Sequence, residues 1–496
     1  MPYHILLQQL TYSPTEPILF TSGLFLFLFL GFTGIYRCLE CRTTLRLAFV
    51  TLFSYYFYYK SSGTYFCLLA LITVSDFLVA RLMQGSRRLF PHQGWIPRLL
   101  LSWSILMATV LLGYFKYANF LGSLLCSIAG RSFTSWDIFL PAGISFYTFQ
   151  SLSYTIDVYR GRIKPLHSLL DYAFYVSFFP QLVAGPIVRA IDFIPQIRQP
   201  LRITNGMFAR AVFLIATGLL KKVVVSDYIS VNFVDRVFDN PTLYSGMENL
   251  LAMYGYTLQI YCDFSGYSDM AIGLALLLGF HFPDNFNAPF LSANISDFWK
   301  RWHMSLSSWI RDYVYIPLGG NRKGSARTYL NLILTMLLCG LWHGASMNFV
   351  VWGGMHGLAI AIHKWWRQHV TRHGKDWQPG LTRRIAGTLI TFHFVSFAFI
   401  FFRQTSFADS LTMVGRMCHD FHPELATQVI SGYRNVLLIM CMGYLCHLVP
   451  RRWESRIATT LHLHNVWAAV AFTTVAIYIA LQMRTADLQP FIYFQF

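Results

Sequence analysis

Windows of predominantly apolar residues, each close to the length of a membrane-crossing helix, recur along this chain and leave room for little else. They lie near 17–36, 45–59, 62–80, 98–119, 207–226, 246–261, 265–280, 326–342, 345–363, 385–402, 434–449 and 465–482. A helix needs about 20 residues to cross the hydrocarbon core of a bilayer. In lipid every backbone polar group must be satisfied internally, so such windows fold as helices. The charge content agrees. Lys, Arg, Asp and Glu make up 12% of the residues, half of the roughly 25% that a water-facing surface demands. The 44 phenylalanines outnumber all 22 acidic residues by two to one. Disorder, coiled coil and an ordinary soluble multidomain enzyme are thereby excluded. The expectation is an all-α polytopic membrane protein with about 10 to 13 crossings, a single membrane-embedded domain over residues 1–496.

Two regions interrupt the pattern. Residues 137–190 are apolar and aromatic but are broken by Pro141, Gly143, Pro180, Gly185 and Pro186. Broken helices survive at membrane depth only where protein or a cavity covers them, so this region reads as re-entrant or irregular. Residues 281–324 form a polar, tryptophan-containing connector. The first apolar stretch lacks a basic n-region and a small-residue cleavage site and reads as a retained helix.

The formal charge of +17 is scattered in short basic runs between apolar windows, the pattern of loops beside an anionic leaflet rather than of a nucleic-acid site. Arg37, Arg42 and Arg46 follow the first window, Lys60 the second, and Arg81, Arg87, Arg88 and Arg98 the third. That alternation places the N-terminus outside and the arginine clusters inside. The 364–384 loop, with Lys364, Arg367, Arg372, Lys375, Arg383 and Arg384, reads as cytoplasmic. The nine cysteines sit mostly in apolar context and read as buried free thiols. Cys38 and Cys41 have metal-like spacing, but no second pair or nearby His completes a zinc site.

Within the connector, Ser296-Asp297-Phe298-Trp299-Lys300-Arg301-Trp302-His303 starts like a helix capped by Ser296 or Asn294. Continued as a helix, it would set Trp299 and His303 on one face. Two readings are open: an interfacial amphipathic helix with its tryptophans among head groups, or a segment directing His303 at a substrate. Pro317–Gly324 is a turn-rich basic segment without the spacing of a phosphate-binding loop. Inside a membrane window lies Cys339-Gly340-Leu341-Trp342-His343-Gly344. Ionisable residues at such depth are costly unless they face protein or a cavity. His343 is either a packing group or the best-placed general base of the chain. Gly340 and Gly344 let another helix or a long ligand approach closely. His356 and His363 look secondary, since His356 is thirteen residues from His343 and is expected to point elsewhere.

Asp263 and Asp269, in Tyr261-Cys262-Asp263-Phe264-Ser265-Gly266-Tyr267-Ser268-Asp269, supply two carboxylates beside a membrane helix. By themselves they fit a cation site, a partner for His, or a proton relay with His343. No His-Glu-x-x-His, dinucleotide glycine fingerprint or Gly-x-Ser-x-Gly elbow is present.

Taken together, Tyr261–Asp269, Phe286-Asn287, Phe298–Ser307, Arg311-Asp312-Tyr313, Pro317–Arg322, Leu341–Ala345, Trp352-Gly353 and His356-Gly357 resemble the membrane-bound O-acyltransferase superfamily. Phe179–Pro186 and the terminal Phe491–Phe496 are similar to its bacterial alginate O-acetyltransferase branch. The resemblance implies a ring of tilted helices around a funnel, with His343 as the intramembrane catalytic histidine and His303 as the second. It implies acetyl-CoA as a cytosolic donor, with no tightly bound cofactor and no metal. It also implies multi-pass residence in the inner membrane, periplasmic or membrane-anchored acetyltransferase partners, and a polysaccharide biosynthesis and export complex. On that reading His303, the Trp302 or Trp342 N–H group or a backbone amide is a candidate to stabilise an oxyanion, and Asp263 and Asp269 line the substrate path. Arg301, Arg311 and Arg322 either attract donor phosphates or anchor a leaflet. D-alanyl transfer to teichoic acids and O-acetylation of peptidoglycan or cellulose keep the same chemistry; a transporter with a buried His/Asp relay does not.

Overall fold

The computed structural model describes residues 9–14, 17–183, 185–371, 380–450, 453, 456, 466–483 and 491–492. The chain is helical, with no strand among the described residues. Parts of the 364–384 loop (372–379) and of the terminal motif (493–496) lie outside them. Two compact units form: residues 1–211 with 271–283, and residues 212–270 with 284–496.

The first unit contains α1 (Gly23–Cys38), α2 (Thr43–Ser62), α3 (Phe66–Leu89), α4 (Trp95–Leu112), α5 (Ala118–Ile128), α6 (Ile144–Tyr159), α7 (Leu169–Ser177), α8 (Phe179–Leu182) and α9 (Ala190–Ile197). Its interior is aromatic: Phe179 packs against Phe53 at 5.1 Å and Phe32 at 5.6 Å between ring centroids. One polar cluster is set into this interior. Asp76 of α3 accepts from the Ser104 hydroxyl of α4 at 2.7 Å and from Ser151 of α6, whose hydroxyl meets that of Tyr172 of α7 at 2.7 Å. Four helices are thus tied through one buried carboxylate, whose lone pairs must be met inside an apolar bundle. The 137–190 region is interrupted as its prolines and glycines foretell, folding as three helices of 16, 9 and 4 residues.

The second unit holds most of α10 (Asn205–Leu220), α11 (Asp235–Asp239) and α12 (Gly246–Leu277) up to Met270. It continues with α13 (Ile295–Arg301), α14 (Met304–Ile310), α15 (Ser325–His343), α16 (Met347–Trp366), α17 (Leu381–Arg403), α18 (Phe407–His419), α19 (Ala426–Gly432), α20 (Arg434–His447) and α21 (Val466–Met483). Two backbone-to-backbone approaches organise it. A Cβ on Gly218 would lie 2.5 Å from the Gly266 carbonyl oxygen, so only glycine lets α10 meet α12 there. A Cβ on Gly340 would lie 2.2 Å from the Phe349 carbonyl oxygen, and one on Gly353 2.4 Å from that of Met336. The small residues around His343 therefore admit the neighbouring helix α16.

Several expectations change. The windows 246–261 and 265–280 are one continuous 32-residue helix, because Asp263 and Asp269 find cationic partners within the protein and need no break. The windows 45–59 and 62–80 lie in one stretch, Thr43–Leu89, interrupted only by a 3₁₀ turn at Gly63–Tyr65. Among the described residues three helices are long and apolar enough to cross a membrane: Thr43–Leu89, Trp95–Ile128 and Leu381–Arg403. A fourth is added if Pro423–Gly432 and Arg434–His447, bent by 88°, form one span. Of the cysteines only Cys262 and Cys339 are buried.

Candidate active site

The connector builds its site by breaking a helix. Asn294 caps α13, its side chain accepting from the Asp297 amide at 2.9 Å. The helix then ends at Arg301, and His303 takes a left-handed conformation with φ of 43° before α14 begins. A non-glycine residue in that region carries strain that the surroundings must offset. Trp299 and His303 consequently do not share a helical face.

Asn285 supplies the offset. Its carbonyl accepts from the Met304 amide at 2.9 Å. Its side-chain Oδ1 accepts from the Ser305 amide at 3.3 Å and hydroxyl at 2.9 Å, while its Nδ2 donates to Ser268 of α12 at 3.1 Å. The Nδ1 of His303 lies 3.1 Å from the same Oδ1. An oxygen that takes the Ser305 amide proton is an acceptor, so His303 donates from Nδ1. A neutral imidazole then leaves its lone pair on Nε2. That atom is buried and has no hydrogen-bond partner among the described residues. Burial pushes the His303 imidazole down to about 3, holding it neutral at physiological pH.

From His303 a row of rings leads through the unit. Trp342 lies 6.1 Å from His303 and 4.8 Å from His343, between ring centroids. His343 sits at the end of α15 and is 2% exposed. Its ring meets Trp352 of α16 edge-on at 5.2 Å and Phe402 of α17 at 5.1 Å. Trp352 in turn lies 4.7 Å from His356, and the Trp299 indole donates to the Nδ1 of His356 at 3.3 Å. The α15–α16 turn thus brings His356 back beside the His343 group, although thirteen residues separate them in sequence.

The remaining predicted residues divide. Trp302 is buried in an aromatic cluster, against Phe286 at 5.1 Å, Phe399 at 5.4 Å and Phe298 at 5.5 Å. Asp263 pairs with Lys222 at 2.5 Å and accepts from the Ile492 amide at 2.9 Å; Lys222 also reaches Asp227 at 2.8 Å. Asp269 pairs with Lys221 at 2.7 Å. Phe264, next to Asp263 in the chain, packs edge-on to His303 at 4.6 Å and lies 5.5 Å from Phe491. Asp263, through the Ile492 amide beside Phe491, therefore braces the wall behind His303. Arg301 pairs with Asp297 at 3.0 Å and Arg311 with its neighbour Asp312 at 2.7 Å. Arg322 is exposed in the turn before α15. The structure gathers His303, Trp342 and His343, and leaves Arg301 and Arg311 on local carboxylates and Arg322 at the surface. No three of His, Cys, Asp and Glu gather closely enough for a metal ion among the described residues.

Asn285 and Lys222 escape a reading by motif, whereas Ser305, Trp352 and His356 stand within the family-like motifs without a role that spacing assigns. The one local signal for Asn285 is a polar amide in an otherwise aromatic run, Phe282–Phe290. Nothing in spacing pairs it with a histidine eighteen positions later.

Comparison with known proteins follows the same residues. A match to MBOAT, the membrane-bound O-acyltransferase family, covers residues 46–403 and so includes both histidines of the site. The chain is 42% identical over 355 residues to a protein of Pseudomonas aeruginosa named probable alginate O-acetylase AlgI. That match covers 70% of this chain and 66% of the relative, so it spans a little under two thirds of the relative's length. A peptidoglycan O-acetyltransferase of Helicobacter pylori is 36% identical, with 81% of this chain and 80% of that protein covered. A teichoic acid D-alanyltransferase of Bacillus subtilis is 30% identical, with 62% and 84% covered. The chain is a polytopic all-helical membrane protein and belongs to the membrane-bound O-acyltransferase family.

Proposed function

We propose that this protein is a membrane O-acetyltransferase that passes acetyl groups from cytosolic acetyl-CoA to an exported polysaccharide of the alginate kind. The observation that carries the proposal is the buried His303–Trp342–His343 group, one of whose imidazoles has its proton parked and its lone pair bare. A neutral imidazole takes the proton of an acceptor hydroxyl as its oxygen attacks the thioester carbonyl carbon. The carbonyl π electrons move onto oxygen, the tetrahedral adduct collapses, and the CoA thiolate leaves with the proton returned by the imidazolium. Apolar walls hold both groups in place and keep water from the thioester.

The apolar window that carries His343, and the resemblance to the family's intramembrane histidine, support the proton-accepting role for His343. One observation favours a second form of the same proposal, with His303 as the base: Asn285 fixes the His303 tautomer. Inner-membrane residence, a periplasmic or membrane-anchored acetyltransferase partner and association with a polysaccharide export complex belong to the proposal. The names of the relatives support polymer acylation in kind.

The test is to supply membranes bearing the protein with acetyl-labelled CoA and isolate the polymers. Label in an exported uronic-acid polysaccharide is the expected result. Label in peptidoglycan, or transfer only from a D-alanyl carrier, would move the acceptor or donor to the alternatives. Substrate movement without acylation would replace the enzyme by a transporter.

A further inference from the structure

Two neighbouring rings, one of them packed on His343, each carry a buried hydrogen-bond donor without an acceptor among the described residues. Trp352 and His356 are one helical turn apart on α16, and their rings lie 4.7 Å apart. Trp352 is 1% exposed, and its indole Nε1–H has no partner among the described residues. His356 is fully buried, and its Nδ1 accepts from the Trp299 indole at 3.3 Å. Trp has no other proton arrangement, so the direction of that bond is fixed. A neutral imidazole that accepts at Nδ1 carries its proton on Nε2. The Nε2 of His356 is therefore a donor, and it too has no partner among the described residues.

Leaving a buried donor unmet is costly, because the hydrogen bond it made to water is not replaced. Unmet donors on two adjoining rings, one ring against His343 and both within a wall of Phe402, Phe394 and Trp299, point to a site for an acceptor atom. The surroundings are apolar, so the acceptor is one that brings little charge of its own on entry. A carbonyl oxygen fits, and it gains negative charge during acyl transfer, when preorganised donors count most.

We propose that Trp352 Nε1–H and His356 Nε2–H form the donor pair that receives the acyl carbonyl oxygen and stabilises it as the tetrahedral adduct forms. The proposal rests on the acyl-transfer reading above. As the acceptor oxygen bonds to the carbonyl carbon, the π pair moves onto the carbonyl oxygen, which both donors then hold. Collapse restores the C=O bond and expels the thiolate. Trp299 acts through His356 as a positioning residue, setting which nitrogen bears the proton.

The experiment compares acetyl-CoA with S-ethyl-CoA, a thioether lacking the carbonyl oxygen, on the purified full-length protein in nanodiscs. Wild type binds acetyl-CoA more tightly than S-ethyl-CoA. Trp352→Phe, which keeps an aromatic ring and loses the N–H, lowers that preference about three- to tenfold and lowers turnover about 10²- to 10³-fold. His356→Ala does the same, and His356→Gln, which retains an N–H, keeps most of the preference. Should Trp352→Phe fail to fold, the His356→Ala and His356→Gln pair decides. A wild-type preference retained in the Trp352→Phe and His356→Ala variants overturns the donor pair, as does a wild type that does not distinguish the two ligands. His343→Ala separates the two readings: it is expected to lose transfer and keep the preference. Full transfer by His343→Ala alongside a collapsed preference in Trp352→Phe removes the base assignment and upholds the donor pair.

Discussion

The Nδ1 of His303 lies 3.1 Å from the Oδ1 of Asn285, an oxygen that also takes the Ser305 amide proton, so one asparagine decides which nitrogen of the histidine carries hydrogen. The same residue receives the Met304 amide on its backbone carbonyl and reaches α12 through Ser268. The Phe264 and Trp342 rings flank this left-handed histidine between its two seven-residue helices, and Asn285 adds the polar contact at Nδ1.

Asn285→Leu should therefore act on catalysis more than on folding. Loss of a residue that orients a catalytic histidine costs about 10- to 100-fold in activity. We expect acetyl transfer to fall by that factor in Asn285→Leu and to recover in part in Asn285→Asp, which keeps an acceptor. Initial rates at matched membrane levels check this. Equal loss in both variants would make Asn285 a packing residue.

The Lys222 ammonium sits between Asp263 and Asp227, with side chains 4%, 3% and 13% exposed. Removing the cation leaves two buried carboxylates without their shared charge, a change that typically destabilises by about 3–5 kcal/mol. Lys222→Ala should lower the melting temperature in detergent markedly. The triple variant Lys222→Met with Asp263→Leu and Asp227→Leu should recover much of it, because it removes the three buried charges together. An unchanged melting temperature in Lys222→Ala would show that the carboxylates are already neutral.

Gly353→Leu tests the α15–α16 contact. A side chain there meets the Met336 carbonyl oxygen and the Leu337 backbone, neither of which can swing away. The helices must separate, and His343 and Trp352 with them, so both stability and transfer should be lost. Gly354→Ala, one position on, faces only the Leu337 side chain at 3.6 Å and should be tolerated. Thermal stability of the two variants in detergent makes the comparison.

Protonation of His303 supplies a fourth test. Its folded-state pKa is depressed to about 3 by burial, while the unfolded imidazole titrates near 6.5. Between those values the unfolded chain binds the proton first. The stability that His303 contributes is thus complete above about pH 6.5 and is lost as pH falls, by about 1.4 kcal/mol per unit. His303→Gln should flatten the acid fall in melting temperature between about pH 6 and 4 relative to wild type. An unchanged slope would mean that His303 is already hydrated or charged.

How much of this could be read from sequence varies with the range of the contact. The helical class, the broken stretch after Asp137, the Asn294 cap and the close approach at Gly340 are local signals, set by hydropathy, proline, glycine and a capping side chain. Continuity of α12 was hidden because Asp263 and Asp269 look like breaks until Lys222 and Lys221 are found beside them. His303 and His343 stand out by residue type, and the structure places both around Trp342. The Trp299–His356 bond joins residues 57 positions apart, and His303 faces Asn285 across a helix break. Neither periodicity nor spacing encodes such pairs, since both depend on how the short helices turn.

The most direct measurement is the initial rate of labelled acetyl transfer from acetyl-CoA in membranes carrying His303→Gln or His343→Gln at wild-type abundance. We predict that each substitution lowers the rate by at least about 10²-fold, since in the proposed mechanism the two imidazoles serve one reaction. Wild-type transfer with either histidine replaced would contradict the account.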